Sequence, residues 1–125
     1  PGDALGVNIR RMGYAQIDQE ILATLRATLA RVAAAHRAPL LSLPVSVSPN
    51  EADHVAIREM MAGVDAFEDA VPTPRLPADL MARIARCRVV VTGAYHAAVF
   101  ALSCGIPAVC LVRSRYYEDK MAGLA

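Results

Sequence analysis

Val89-Val90-Val91, followed after the turn Thr92-Gly93-Ala94-Tyr95-His96 by Ala97-Ala98-Val99-Phe100-Ala101-Leu102, constrains the fold of this chain more than any other feature. Three successive β-branched residues read as a strand buried on both faces, and the alanine-rich run behind them reads as a tightly packed helix. A strand with two apolar faces needs a covering layer on each. The rest of the chain can supply those layers, because strand-like and helix-like stretches alternate along it.

Leu5-Gly6-Val7-Asn8-Ile9 is the first strand and ends in Arg10-Arg11. Ile21, Leu22, Leu25, Leu29, Val32 and Ala33 then recur at three- and four-residue spacing, with Asp18, Gln19, Arg26 and Arg31 on other faces. This predicts an amphipathic helix from Ile17 to about Arg37. Pro39 to Val47 is the second strand, with Pro44 near its C-terminal end or at a bulge. Ser48-Pro49-Asn50-Glu51 opens the next helix: Ser48 caps it, Pro49 fits its first turn and Glu51 stands at the capping-box position. That helix runs to about Ala62 and leads to a weak strand, Val64 to Phe67. A loop with Pro72 and Pro74 follows, then a helix opened by Pro77 with Leu80, Met81, Ile84 and Cys87 as its buried stripe. The valine strand, Arg88 to Thr92, and its alanine-rich helix come next, ended by Gly105 and Pro107. Ala108 to Val112 is the fifth strand and Tyr116 to Leu124 the last helix.

Alternation of this kind, with apolar rather than alternating strands, predicts a single α/β domain over residues 1–125. The architecture is a Rossmann-like three-layer sandwich around a mostly parallel sheet of about five strands. Right-handed crossovers and the commonest doubly wound order place the first strand beside the fourth. A ligand crevice then opens between the loop after the first strand, Asn8 to Tyr14, and the turn Thr92 to His96.

His96 is the leading candidate for chemistry. It stands where a strand gives way to a helix N-terminus, and an imidazole there can act as general acid or donate to a phosphate. The bland alternative is a histidine that caps its helix or packs in a polar pocket. Arg10 and Arg11 follow the first strand, and because neighbours in extended chain point oppositely, only one faces the crevice. Arg10 is favoured, as a bidentate partner for phosphate or carboxylate, with Asn8 a lesser candidate. Arg113-Ser114-Arg115-Tyr116-Tyr117-Glu118-Asp119-Lys120 lies after the fifth strand on the same sheet edge. Tyr117 and Lys120 share a helix face there and can reach a ligand together. Glu118 and Asp119 are explained by a solvated helix start.

Several function classes are excluded. Asn8-Ile9-Arg10-Arg11-Met12-Gly13 is not the glycine-rich turn of a dinucleotide fold, and neither a GxxxxGK[ST] phosphate loop nor a nucleophile elbow occurs. His36, His54 and His96, like Cys87, Cys104 and Cys110, lack metal-ligand spacing, so neither a metal nor a cofactor is expected. The net charge of +1 gives no general attraction to nucleic acid or acidic membranes. Hydrophobic residues make up 55% of the chain, yet no apolar run reaches the ~18 uncharged residues of a transmembrane segment. Free thiols among apolar residues, without a secretory signal, point to a cytoplasmic domain. Pro1-Gly2-Asp3 at one end and Met121-Ala122-Gly123-Leu124-Ala125 at the other suggest a domain of a longer protein, with apolar surface facing a missing partner domain.

Gly6-Val7-Asn8-Ile9-Arg10, Val90-Val91-Thr92-Gly93-Ala94-Tyr95-His96-Ala97-Ala98, Ala101-Leu102-Ser103-Cys104-Gly105-Ile106-Pro107-Ala108-Val109 and Tyr117-Glu118-Asp119-Lys120-Met121-Ala122-Gly123-Leu124 together resemble the polysaccharide pyruvyl transferase family. The resemblance covers the first strand and most of residues 87–125. It implies two Rossmann-like domains in the manner of GT-B glycosyltransferases, this chain being the C-terminal, donor-binding one, with an N-terminal domain as its partner. The implied reaction moves a pyruvyl group from phosphoenolpyruvate onto a sugar or glycan hydroxyl, as in exopolysaccharide biosynthesis. His96 is then the acid, and Asn8, Arg10, Gly93, Tyr95, Arg113, Tyr117 and Lys120 line the donor site. The common Arg-x-His of the family falls on Ala94 and His96, so Arg10, Arg113 or Lys120 must supply the cation. The alternatives are a GT-B glycosyltransferase domain using a nucleotide sugar, and a non-catalytic ligand-binding or scaffolding domain.

Overall fold

The computed structural model describes residues 2–9, 19–45, 53–70, 76–111 and 115–124. Strands and helices alternate throughout them: β1 (Ala4–Asn8), α1 (Gln19–His36), β2 (Leu40–Ser42), α2 (Asp53–Met61), β3 (Phe67–Glu68), α3 (Pro77–Ile84), β4 (Cys87–Thr92), α4 (Tyr95–Ser103), β5 (Ala108–Cys110) and α5 (Arg115–Ala122). The strands form one parallel sheet in the order β3-β2-β1-β4-β5. Leu5 pairs with Leu40 on one side and Val89 on the other, and Asn8 lies beside Thr92. This is the Rossmann-like α/β sandwich that the alternation predicts, with the first strand next to the fourth.

Alternate residues of the central strands feed two separate layers. Leu5, Val7 and Ile9, with Leu40, meet Leu29 and Ala33 of α1 and Ile57, Met60 and Met61 of α2. Leu41, Leu43, Cys87 and Val90 face the other way, against Leu80 and Ile84 of α3 and Ala101 of α4. Both faces of β1 are therefore buried along its whole length.

The valine strand is less enclosed than its composition predicts. Val90 is fully buried, whereas Val89 and Val91 are half-buried and Arg88 is exposed. The helices α1 and α2 cover the β1–β2 half of that face. Towards β5 the cover thins, and Val109, in register with Val91, is 51% exposed.

Several boundaries move for identifiable reasons. β2 stops at Ser42, well before Val47, because Pro44 has no N–H to continue the ladder. The Leu43 N–H still donates to the Val7 carbonyl at 2.9 Å before pairing ends. Val64 is not in a strand, since its N–H closes a turn onto the Met61 carbonyl at 3.1 Å. Cys87 opens β4 instead of completing a helical stripe, and α3 ends at Ile84. The helix start at Ser48-Pro49-Asn50-Glu51 lies outside the described residues. At the end of α4, Gly105 takes φ +73°, its N–H donates to Leu102 at 3.0 Å and the Ile106 N–H reaches Ala101 at 2.9 Å. That left-handed cap is the reason a glycine stands there. No helix among the described residues is long and apolar enough to cross a membrane.

Candidate functional site

β4 carries the chain to the C-terminal edge of the sheet, where α4 begins. Thr92, the last residue of β4, is fully buried. Its hydroxyl donates to Asn8 Oδ1 at 2.8 Å and accepts from the Ala94 N–H at 2.9 Å. Asn8 Nδ2 in turn donates to the Leu43 carbonyl at 2.9 Å, and the Gly93 N–H donates to the Asn8 carbonyl at 3.0 Å. The ends of β2, β1 and β4 are thus tied together beneath the turn.

The helix that starts above this tie has no side-chain cap. Ala94 stands at the N-cap with extended backbone, φ −112° and ψ 130°, and a methyl group cannot accept a hydrogen bond. The first helical bond runs from the Ala98 N–H to the Ala94 carbonyl at 3.2 Å. Among the described residues, the amides of Tyr95, His96 and Ala97 have no acceptor. Among the described residues, a Cβ built on Gly93 would meet nothing within 4 Å, so they leave the space beside the turn open. Unpaired amides at a helix start with open space beside them favour negative charge.

Two side chains flank this turn. His96 is exposed, packs edge-to-face on Tyr95 with ring centroids 5.8 Å apart, and borders an open groove of about 210 Å³ with Pro44, Val45, Leu80 and Phe100. Lys120 reaches in from α5, its Nζ 4.6 Å above the centre of the Tyr95 ring. A cation so placed gains about 0.5–1 kcal/mol from the ring at an exposed site. Tyr95 therefore seats an ammonium and an imidazole around one helix start.

Of the residues singled out in the sequence, Gly93, Tyr95, His96 and Lys120 come together here. Asn8 lies under the turn, fully buried, with its carboxamide engaged by Leu43 and Thr92. Tyr117 is in α5 one turn before Lys120, and its side chain lies outside the described ones, as do Arg10 and Arg113 entirely. Thr92 was not singled out. Its only signal was a hydroxyl residue ending an apolar strand.

Residues 63–115 match the family model for polysaccharide pyruvyl transferase. The match supports that family for this chain. It runs from before β3 through β5 and includes the whole turn into α4. No curated protein and no solved structure matches the chain. Within the matched segment, Arg83 and Cys87 serve the scaffold. Arg83, half-buried, donates to the carbonyls of Ser42 at 3.0 Å and Asp69 at 3.5 Å, and its desolvation holds its pKa below the ordinary arginine value. Burial pushes the Cys87 thiol up to about 11, against the pull of Arg83 and Arg86, so it is a poor nucleophile.

Proposed function

We propose that this chain is the donor-binding domain of a two-domain, GT-B-like pyruvyl transferase that takes the enolpyruvyl unit from phosphoenolpyruvate to a sugar or glycan hydroxyl. One juxtaposition supports the reading: inside the family-matched segment, helix amides without an acceptor among the described residues and the exposed His96 imidazole meet the Lys120 ammonium, which α5 brings to the same turn from beyond that segment. Lys120 supplies from α5 the cation that Ala94 lacks. The acceptor is held by residues of the other domain.

His96, as imidazolium, gives its proton to the methylene carbon of the donor, leaving the adjacent carbon oxocarbenium-like. The oxygen of a sugar hydroxyl bonds to that carbon, and its proton passes to the imidazole. The bond from this carbon to the phosphate oxygen then breaks, with the electron pair leaving on phosphate. The amides of Tyr95, His96 and Ala97 and the Lys120 ammonium take up the charge that develops there. A second hydroxyl closes the ketal on the same carbon, and its proton goes to the departing phosphate.

An NMR titration separates the possibilities. Phosphoenolpyruvate should shift the amides of residues 93–97, the His96 ring and Lys120, while uridine diphosphate should not. A response to uridine diphosphate alone would turn the reading to a nucleotide-sugar glycosyltransferase, and silence with both would leave a non-catalytic domain. In the two-domain protein, His96→Ala should cut turnover by about a hundredfold or more. Turnover held within a few-fold would remove His96 as the acid.

A further inference from the structure

We infer that Thr92 and Asn8 are positioning residues for anion binding, fixing which amides the start of α4 offers to a ligand; this rests on reading the turn as the anion site of the donor. A helix start presents four N–H groups without helical acceptors, and an ordinary N-cap side chain consumes that of the second or third helical residue. Ala94 cannot do so. Thr92, two residues earlier, places its hydroxyl on the N–H of Ala94 itself at 2.9 Å. The first of the four donors, that of the N-cap itself, is thereby satisfied, and the amides of Tyr95, His96 and Ala97 keep no acceptor among the described residues.

The direction of each bond follows from the one before it. Asn8 Nδ2 must donate, because its partner is the Leu43 carbonyl at 2.9 Å. That turns Oδ1 towards Thr92, whose hydroxyl proton goes to it at 2.8 Å. With its proton committed, the Thr92 oxygen presents a lone pair to the Ala94 N–H. The competing arrangement, Thr92 donating to the Ala94 carbonyl, is longer at 3.3 Å and would leave Asn8 Oδ1 without that donor. Both side chains are 0% exposed, so solvent does not compete for these bonds. The second tie, from the Gly93 N–H to the Asn8 carbonyl, holds the turn against β1. Position and hydrogen-bonding state of the helix start are thus set from below by two fully buried side chains.

Inorganic phosphate is a sufficient probe, with the chain observed by NMR. In the wild type, the Ala94 amide should exchange slowly with solvent, while those of Tyr95, His96 and Ala97 exchange fast and become protected when phosphate is added. Thr92→Val, which keeps the shape and removes the hydroxyl, should weaken phosphate binding at the turn by about tenfold, and Thr92→Ser should restore it to within about twofold. Val90→Ala, a cavity in the same strand outside the hydrogen-bond chain, should lower stability and leave phosphate affinity unchanged. Undiminished binding by Thr92→Val, or no rescue by Thr92→Ser, overturns the inference while the anion site stands. A wild type whose turn ignores phosphate overturns the donor-site reading and the inference with it. Where Thr92→Val does not fold, the exchange measurement decides: an Ala94 amide as fast as that of Tyr95 overturns the inference.

Discussion

Gly6 stands where β1 runs hard against buried side chains of its neighbours. A Cβ there would overlap Leu43 Cδ1 and stand 3.0 Å from Cys87 Sγ and 3.2 Å from Val90 Cγ2, all of them fully buried. Gly6→Ala should therefore cost about 1–3 kcal/mol, read as a lower urea midpoint at unchanged slope. Adding Leu43→Val should recover part of that loss, because the two positions share one space. Fully additive effects would show that the strain is in the backbone instead. At this scale the sequence spoke unevenly. His96 and Lys120 were legible because a cationic or titratable side chain at a strand's C-terminal edge is unusual enough to notice. Asn8 was visible as a polar residue in an apolar strand, but its partner Thr92 lies 84 residues away. Only the register of β1 against β4 brings them together, and local pattern does not encode register distance.

At the scale of elements, the existence and type of strands and helices followed from apolar spacing, and their ends did not. Pro44 shortened β2 by removing a donor, and the turn closed by Val64 pushed β3 on to Phe67–Glu68. Both outcomes depend on single hydrogen bonds between segments. The edge strand β3 is further tied by Glu68, whose carboxylate accepts two bonds of 3.1 Å from the Arg86 guanidinium. That hydrogen-bonded guanidinium holds the Glu68 pKa below its ordinary value. A carboxylate with a lowered folded-state pKa contributes its stability above the ordinary carboxylate range and loses it as pH falls through the lowered value. Both side chains are about half exposed, at 51% and 46%, so solvent screens the pair. Arg86→Met should accordingly cost at most about 1 kcal/mol near neutral pH. The difference from wild type should shrink in high salt and vanish in acid below the folded-state pKa. A deficit persisting unchanged in acid would assign the effect to the arginine stem.

For the whole molecule, strand order was the most legible property, because right-handed crossovers leave few ways to arrange apolar parallel strands. How evenly the sheet is covered was not legible: Val89 and Val91 have the same side chains as a two-sided core strand, and only the placement of α1 and α2 over β1 and β2 leaves them half-buried. The opposite layer is closed, and Cys87 reports on it. Its thiol lies at 0% exposure beside Gly6, with Sγ 3.6 Å from the Arg83 carbonyl, and its pKa is pushed up to about 11 by burial. A thiol reagent should reach it only when the α3–α4 layer opens, whereas Cys110, half-buried at the edge strand, needs smaller fluctuations. At mildly alkaline pH, labelling of Cys87 should lag that of Cys110 by about a hundredfold or more and follow global stability across a urea series. The raised pKa adds a second signature. The unfolded thiol ionises first, so this contribution to stability is complete below the ordinary thiol range and is lost as pH rises towards about 11. Cys87→Ala should flatten that alkaline decline, and Cys87 labelling as fast as Cys110 would mean that the layer beneath the turn into α4 opens without global unfolding.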